Sequence, residues 1–383
     1  MTGEGPSAQS GLSVDPTTLL SGAGGRRGLV ITTTLAVVLG LALGAVLIVI
    51  SDMVAGHALD LTLPLRAYQA LIDGSLKDAR AIGNTLNIAT PLILAGLAVA
   101  FGFRAGLFNI GANGQFLFGA FFAAIVGAAP IFPGPLHLVL AIVAGFLGGA
   151  LWGFIPGILK AWRGAHEVVV TIMLNFVAYL LLNELASRVF RDPTATFAKT
   201  RDVTPDAQLP ILIDGTRLHA GIVVALVAAV AVWFLLFKTT LGFEIRTVGI
   251  NAFAARYAGM KASLIAVLTL SLSGGLAGLG GAAENLGVTK AYPAEYVVNY
   301  GFDGIAVALL GRAHPFGVVG AALLFGALRA GAGSMQRATG IPVDIITIVQ
   351  AFIILFVAAE PILRRLVPGL RSRRTRAAGT ASA

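Results

Sequence analysis

The chain has no cysteine among its 383 residues, which removes disulfides, thiol nucleophiles and thiolate-bound metals. Charge is scarce too: Asp, Glu, Lys and Arg make up 12% of the sequence, against about 25% in an ordinary soluble domain. From Ala105 to Leu159 there is not one of them. A bilayer crossing takes roughly 20 apolar residues, so that run has room for two. The turn-forming cluster Pro130-Ile131-Phe132-Pro133-Gly134-Pro135 divides it. No Gly-Lys dipeptide occurs, so the phosphate loop that cradles ATP is missing. His166-Glu167 opens like a zinc-protease helix, but Val170 stands where the second histidine belongs. His57, His137, His219 and His314 are scattered near span ends, and Ser334 in Gly331-Ala-Gly-Ser has no evident partner base. No catalytic or metal-binding set is expected, and no cofactor.

What is present suits lipid as the solvent. Hydrophobic residues are 57% of the chain, mean hydropathy is +0.87, and the 48 glycines suit helices that pack closely in a membrane. The net charge of +9 has two readings, nucleic-acid binding or membrane topology. With no soluble basic domain to carry it, topology is the reading adopted, and no nucleic-acid partner is expected. Residues 1–28, rich in Gly, Ser, Pro and Thr, read as a disordered cytoplasmic leader. Residues 29–362 read as an all-α polytopic transmembrane bundle with broken or short helices. Residues 363–383, with Arg364, Arg365, Arg371, Arg373, Arg374 and Arg376, read as a basic cytoplasmic tail.

Ten spans are predicted, at about 29–50, 83–103, 107–128, 137–159, 166–187, 218–237, 262–282, 297–311, 316–333 and 343–362. Arg26-Arg27, Arg104, Lys160, Arg163, Lys238, Lys261, Arg312 and the tail then share one side, the cytoplasm. Both termini lie there, with residues 238–261, while 51–82 and the long loop 188–217 lie outside. The stretch beginning Gly96-Leu-Ala-Val-Ala and reaching Arg104-Ala105 is similar to that from Gly304 to Arg312-Ala313. It is either an internal repeat, common in transporters, or a product of the restricted alphabet.

Polar residues inside apolar stretches mark the candidate sites. Asn109, Asn113 and Gln115 sit among Gly106, Gly111 and Gly114 in the charge-free run. Irregular backbone at membrane depth is tolerated where protein buries it or a water-filled cavity meets it. Neutral amides suit a polyhydroxylated solute, and equally suit helix–helix hydrogen bonds. Thr171 and Asn175 share a helix face, four residues apart. Glu284 and Asn285 follow the small-residue run Ser273-Gly-Gly-Leu-Ala-Gly-Leu-Gly-Gly281 and are placed at an external mouth. Asp303 reads as a helix cap. On the cytoplasmic side, residues 240–260 carry Glu244, Arg246, Gly249, Asn251, Arg256 and Gly259. Here a short helix would press Phe253 and Tyr257 into a partner or lie on lipid headgroups.

Several of these segments resemble one family. They are Phe108-Asn-Ile-Gly-Ala-Asn-Gly-Gln115, Glu167-Val-Val-Val-Thr-Ile-Met-Leu-Asn175, Arg246-Thr-Val-Gly-Ile-Asn251 with Ala254-Ala-Arg-Tyr-Ala-Gly259, Ser273-Gly-Gly-Leu-Ala-Gly278 and Gly301-Phe-Asp-Gly-Ile-Ala-Val-Ala-Leu-Leu-Gly-Arg312. Over about residues 80–360 the chain is similar to permease subunits of bacterial ABC importers for branched-chain amino acids, ribose-like sugars and nucleosides, most of all the nucleoside or simple-sugar branch. One departure is Asn113, where members usually carry Glu. The resemblance implies a plasma-membrane permease working by alternating access. It further implies a second related permease, a cytoplasmic ABC ATPase docked on residues 240–260, and an external lipid-anchored solute-binding protein. The alternatives are a pentose-type sugar permease and an ion-coupled secondary transporter, the latter disfavoured by the few acidic residues at mid-span.

Overall fold

The computed structural model describes residues 26–130 and 134–359, with the side chains of residues 26–30 excepted. The leader up to residue 25, the tail, the last residues of the tenth span and the middle of the proline cluster lie outside the described residues. Thirteen α-helices occur among the described residues: α1 (Arg26–Val54), α2 (Leu63–Leu76), α3 (Ala79–Arg104), α4 (Ala112–Ala128), α5 (Pro135–Arg163), α6 (Glu167–Glu184), α7 (Gly221–Lys238), α8 (Thr240–Ile250), α9 (Ala252–Tyr257), α10 (Ala262–Glu284), α11 (Tyr300–Leu310), α12 (Pro315–Thr339) and α13 (Asp344–Ala358). The fold is all-α, and the described residues hold isolated β-bridges rather than strands.

Among the described residues seven helices are long and apolar enough to cross a bilayer: α1, α3, α5, α6, α7, α10 and α12. The remaining three of the ten predicted spans are the shorter α4, α11 and α13, of 17, 11 and 15 residues. At 1.5 Å per residue α11 reaches only about 16 Å, roughly half a hydrocarbon core. The polarity is that of a membrane protein. Leu147 and Leu151 on α5 face outward, 57% and 55% exposed, while Asn109 and Gln115 are at 0% and 1%.

The segment 51–82, expected to be a polar external stretch, contains α2. Pro64 lies in its first turn, and Leu63, Ala67, Leu71 and Ser75, four apart, bury one stripe. The helix packs on α12, Leu71 against Gly331 and Gly74 against Ser334. Arg66 and Asp73 lie between the stripe residues and mask its period in the sequence.

The bundle is built around α3, buried continuously from Ala89 to Phe103 and packed against α7, α10, α11 and α12. Asp78 caps its start, accepting the Ala81 N–H at 2.7 Å. Beside it α5 and α10 form the closest helix pair. Gly145, Gly149, Gly153 and Gly157 recur every fourth residue along α5 and face Leu270, Gly274, Gly278 and Ala282 on α10. A Cβ at Gly149 would fall on the Gly274 carbonyl, so only glycine lets the backbones meet. The middle of α1 is held by α13, with Gly40 against Ile353 and Gly44 against Val349.

Candidate functional site: two helix breaks and the segment 240–260

Helix α3 ends at Arg104 and α4 starts at Ala112, leaving residues 105–111 as a break inside the charge-free run. A break frees backbone N–H and C=O groups that lipid cannot satisfy. Amide side chains satisfy them here. Asn109 donates from Nδ2 to Gln115 Oε1 (2.7 Å) and Ser273 Oγ (2.8 Å), and its Oδ1 accepts the Gly111 N–H (3.0 Å). Ser273 in turn donates to the Ala98 carbonyl at 2.6 Å. Asn175, on α6, accepts the Gly114 N–H (2.8 Å) and donates to the Ile110 carbonyl (2.9 Å). Thr171 lies fully buried against Gly111.

Asn109, Gln115, Thr171 and Asn175, expected along a solute path, are thus brought together but turned into neighbouring helices. The physical reason is the break itself, whose freed groups take up their hydrogen-bonding capacity. Asn285 is also internal: it donates to the Ala291 carbonyl at 2.9 Å and clasps the turn 285–289. Asn113 differs. It accepts the Gly301 N–H (3.2 Å), joining the N-termini of α4 and α11, so the positive ends of two short helices converge. Glu284 is half-buried and lies within electrostatic range of Tyr296 and Tyr300. Next to them Asp303, expected only as a cap, forms an ion pair with Arg329 on α12 at 2.8 Å. Tyr296, Tyr300 and Arg329 went unnoticed in the sequence. A lone arginine within the apolar stretch 316–333 was the available signal.

The second break follows α11. Residues 311–314 turn with Arg312 and Ala313 at φ 53° and 48°, and α12 starts at Pro315. Arg104 crosses to this turn and donates from Nε to the Ala313 carbonyl at 2.8 Å. The two similar segments also pack on each other, Gly96 against Val307 and Gly304 against Ala95.

The segment 240–260 folds as the pair α8 and α9. Thr239 caps α8 at the Gly242 N–H (3.1 Å), and Asn251 caps α9 at the N–H groups of Phe253 and Ala254, both 3.0 Å. Gly259 closes it at φ 83°. Gly249 lies directly on residues 104–106, where a Cβ would overlap the Arg104 carbonyl. Arg246 stacks on Phe237, Glu244 is half-buried, and Arg256 stacks on Phe253. Phe253 and Tyr257 are 74% and 95% exposed. A cavity of about 330 Å³ opens beside them, lined by Gly106, Lys160, Gly249, Arg256 and Ser263.

At the opposite end a cleft of about 820 Å³ is lined by Asp78, Arg80, Arg217, Arg329, Ser334 and Arg337. Near its rim His219 is buried, which pushes its imidazole down to about 4.

Comparison with known proteins agrees with this architecture. Residues 81–358 match the family described as branched-chain amino acid transport system / permease component. The guanosine ABC transporter permease protein NupP of Bacillus subtilis is 44% identical over 344 residues, 88% of this chain and 96% of the relative. The nucleoside ABC transporter permease protein NupB of Lactococcus lactis is 36% identical, covering 88% and 93%. The glucose ABC transporter permease protein TsgB13 of Haloferax volcanii is 36% identical, covering 80% and 83%. No solved structure shows significant similarity. The chain belongs to the branched-chain amino acid transport system / permease component family.

Proposed function

We propose that this chain is the membrane-spanning permease of an ABC importer that carries nucleosides across the plasma membrane by alternating access. The observation that carries the reading is similarity along 88% of the chain to two permeases named for guanosine and nucleosides. A simple sugar is the second reading, favoured by the glucose permease at 36% identity over 80% of the chain. ATP is hydrolysed on a separate cytoplasmic subunit, and a second permease completes the path.

The solute path runs past Asn113, Glu284, Tyr300 and Asp303, where two short-helix N-termini meet acidic and phenolic groups that can hydrogen-bond ribose and base. Asn109, Gln115, Thr171, Asn175 and Asn285 shape that path from behind. Helices α8 and α9 dock the ATPase. Their exposed Phe253 and Tyr257 lie at the end of the bundle where Lys160, Lys238 and Lys261 collect. The arginine-lined cleft at the other end receives acidic groups of the external binding protein. Both termini lie on the cytoplasmic side with residues 238–261.

Uptake of labelled guanosine by cells lacking the gene tests the substrate. Restoration by the chain, competed by unlabelled nucleosides and not by glucose or ribose, is expected. Competition by sugars alone would overturn the nucleoside reading. Single cysteines introduced into this cysteine-free chain test the topology. Labelling at position 251 by an impermeant reagent applied outside intact cells would reverse it.

A further inference from the structure

We propose that Arg104, braced by Phe237, is the positioning residue that fastens the two helix breaks to each other, so that the coupling segment moves them as one piece. The inference rests on residues 240–260 being the coupling segment. Three elements meet at the Phe237 ring, near the C-terminus of α7. The Arg104 guanidinium, from the first break, stands 5.5 Å from its centroid. Arg246, from α8, stands at 5.3 Å. The His314 ring, from the second break, lies at 5.5 Å.

Arg104 is half-buried and donates to two carbonyls of the second break, from Nε to Ala313 at 2.8 Å and from Nη2 to Arg312 at 3.5 Å. Arg312, at the equivalent place in the second similar segment, reaches onward to Thr32 Oγ1 at 2.7 Å on α1. Gly249 rests on the backbone of residues 104–106 immediately beside this point. A push on α8 therefore meets the first break through Gly249 and reaches the second through Arg104. Lysine cannot replace it, because the contact combines a directed Nε–H bond with a flat group lying on an aromatic face.

The test uses the complete transporter in proteoliposomes, with labelled guanosine outside and ATP supplied to the ATPase side. For Arg104→Gln and Arg104→Lys the maximal uptake rate is expected to fall about tenfold at unchanged KM while ATP hydrolysis continues, the signature of lost coupling rather than lost solute contact. Phe237→Leu should move in the same direction by about threefold, and it carries the test if the Arg104 variants do not accumulate. Amide hydrogen exchange at residues 311–314 should quicken in Phe237→Leu while that at 112–118 stays slow. Wild-type uptake rates in Arg104→Lys, or a raised KM at an unchanged maximal rate, would overturn the proposal. Gly249→Val separates the two levels. If it transports normally, the coupling segment itself is misassigned. If it fails to transport while Arg104→Gln is normal, only the role of Arg104 falls.

Discussion

The two helix breaks follow similar stretches, Gly96 to Ala105 and Gly304 to Ala313, and are held in different ways. Around the first, Asn109, Gln115, Asn175 and Ser273 form a closed set of hydrogen bonds at little or no solvent exposure. The second, Gly311-Arg-Ala-His314, contains no amide side chain and is gripped from outside by Arg104. A break tied at many points behaves as a rigid corner, because each buried group left unpaired costs about 1–3 kcal/mol. The second break is instead held by side chains that reach in and out of it, Arg104 to the Ala313 carbonyl and Arg312 to Thr32, with no buried amide inside it. On the proposed reading the first break is scaffold and the second the moving part, and the amides that stand out in the sequence are engaged by neighbouring helices.

The largest effect should come from opening the rigid corner. Asn109→Ala leaves the Gly111 N–H and the Gln115 amide without their partner and Ser273 with the Ala98 carbonyl alone, and should cost about 3 kcal/mol of stability. Size-exclusion after heating in detergent measures it. A variant of normal stability with a raised KM for solute would instead place Asn109 on the path and erase the contrast between the breaks.

Next comes the contact between the coupling segment and the first break. Gly249→Val should insert normally yet lower uptake by about tenfold or more, since the backbone of residues 104–106 leaves the side chain no room. Gly320→Ala, where a Cβ meets nothing within 4 Å, is the control and should transport normally. Equal loss in both variants would show that the effect is unrelated to the contact.

A smaller effect is expected at the Asp303–Arg329 pair, which ties the second break's two helices together. Asp303→Asn, Arg329→Gln and the double variant should give a coupling energy of about 1 kcal/mol, read from thermal unfolding. Additive losses would mean that the pair contributes nothing to holding α11 on α12.

The smallest concerns pH. His219 titrates near 4 in the folded chain and near 6.5 when unfolded, so the unfolded form binds more protons between those values. Its contribution is complete above about pH 6.5 and declines as pH falls toward 4. Thermal stability should therefore drop between pH 7 and pH 5, and less so in a His219→Gln variant. An identical pH profile in both would remove His219 from the external rim's energetics.

Much of the fold was legible because a membrane leaves a strong signal. The seven long spans, the break among Gly106, Gly111 and Gly114, and the helical segment 240–260 all follow from charge, hydropathy and glycine placement. Helix α2 was not, because Arg66 and Asp73 interrupt an apolar stripe that is only one residue wide. Nor were the partners of the amides. Ser273 lies 164 residues from Asn109, and Gly301 lies 188 from Asn113. Such pairings are set by how helices cross, which local sequence does not encode. The Asp303–Arg329 pair was hidden for the same reason: each charge alone looks like an end-of-span residue.

The most direct measurement is ATP-driven guanosine uptake into proteoliposomes containing this chain with its second permease, ATPase and binding protein, compared between the native chain and Gly249→Val. Uptake that requires ATP and all partners, and that Gly249→Val abolishes while ATP hydrolysis persists, is the expected result. Uptake by this chain alone driven by an ion gradient, indifferent to ATP and to Gly249→Val, would contradict it.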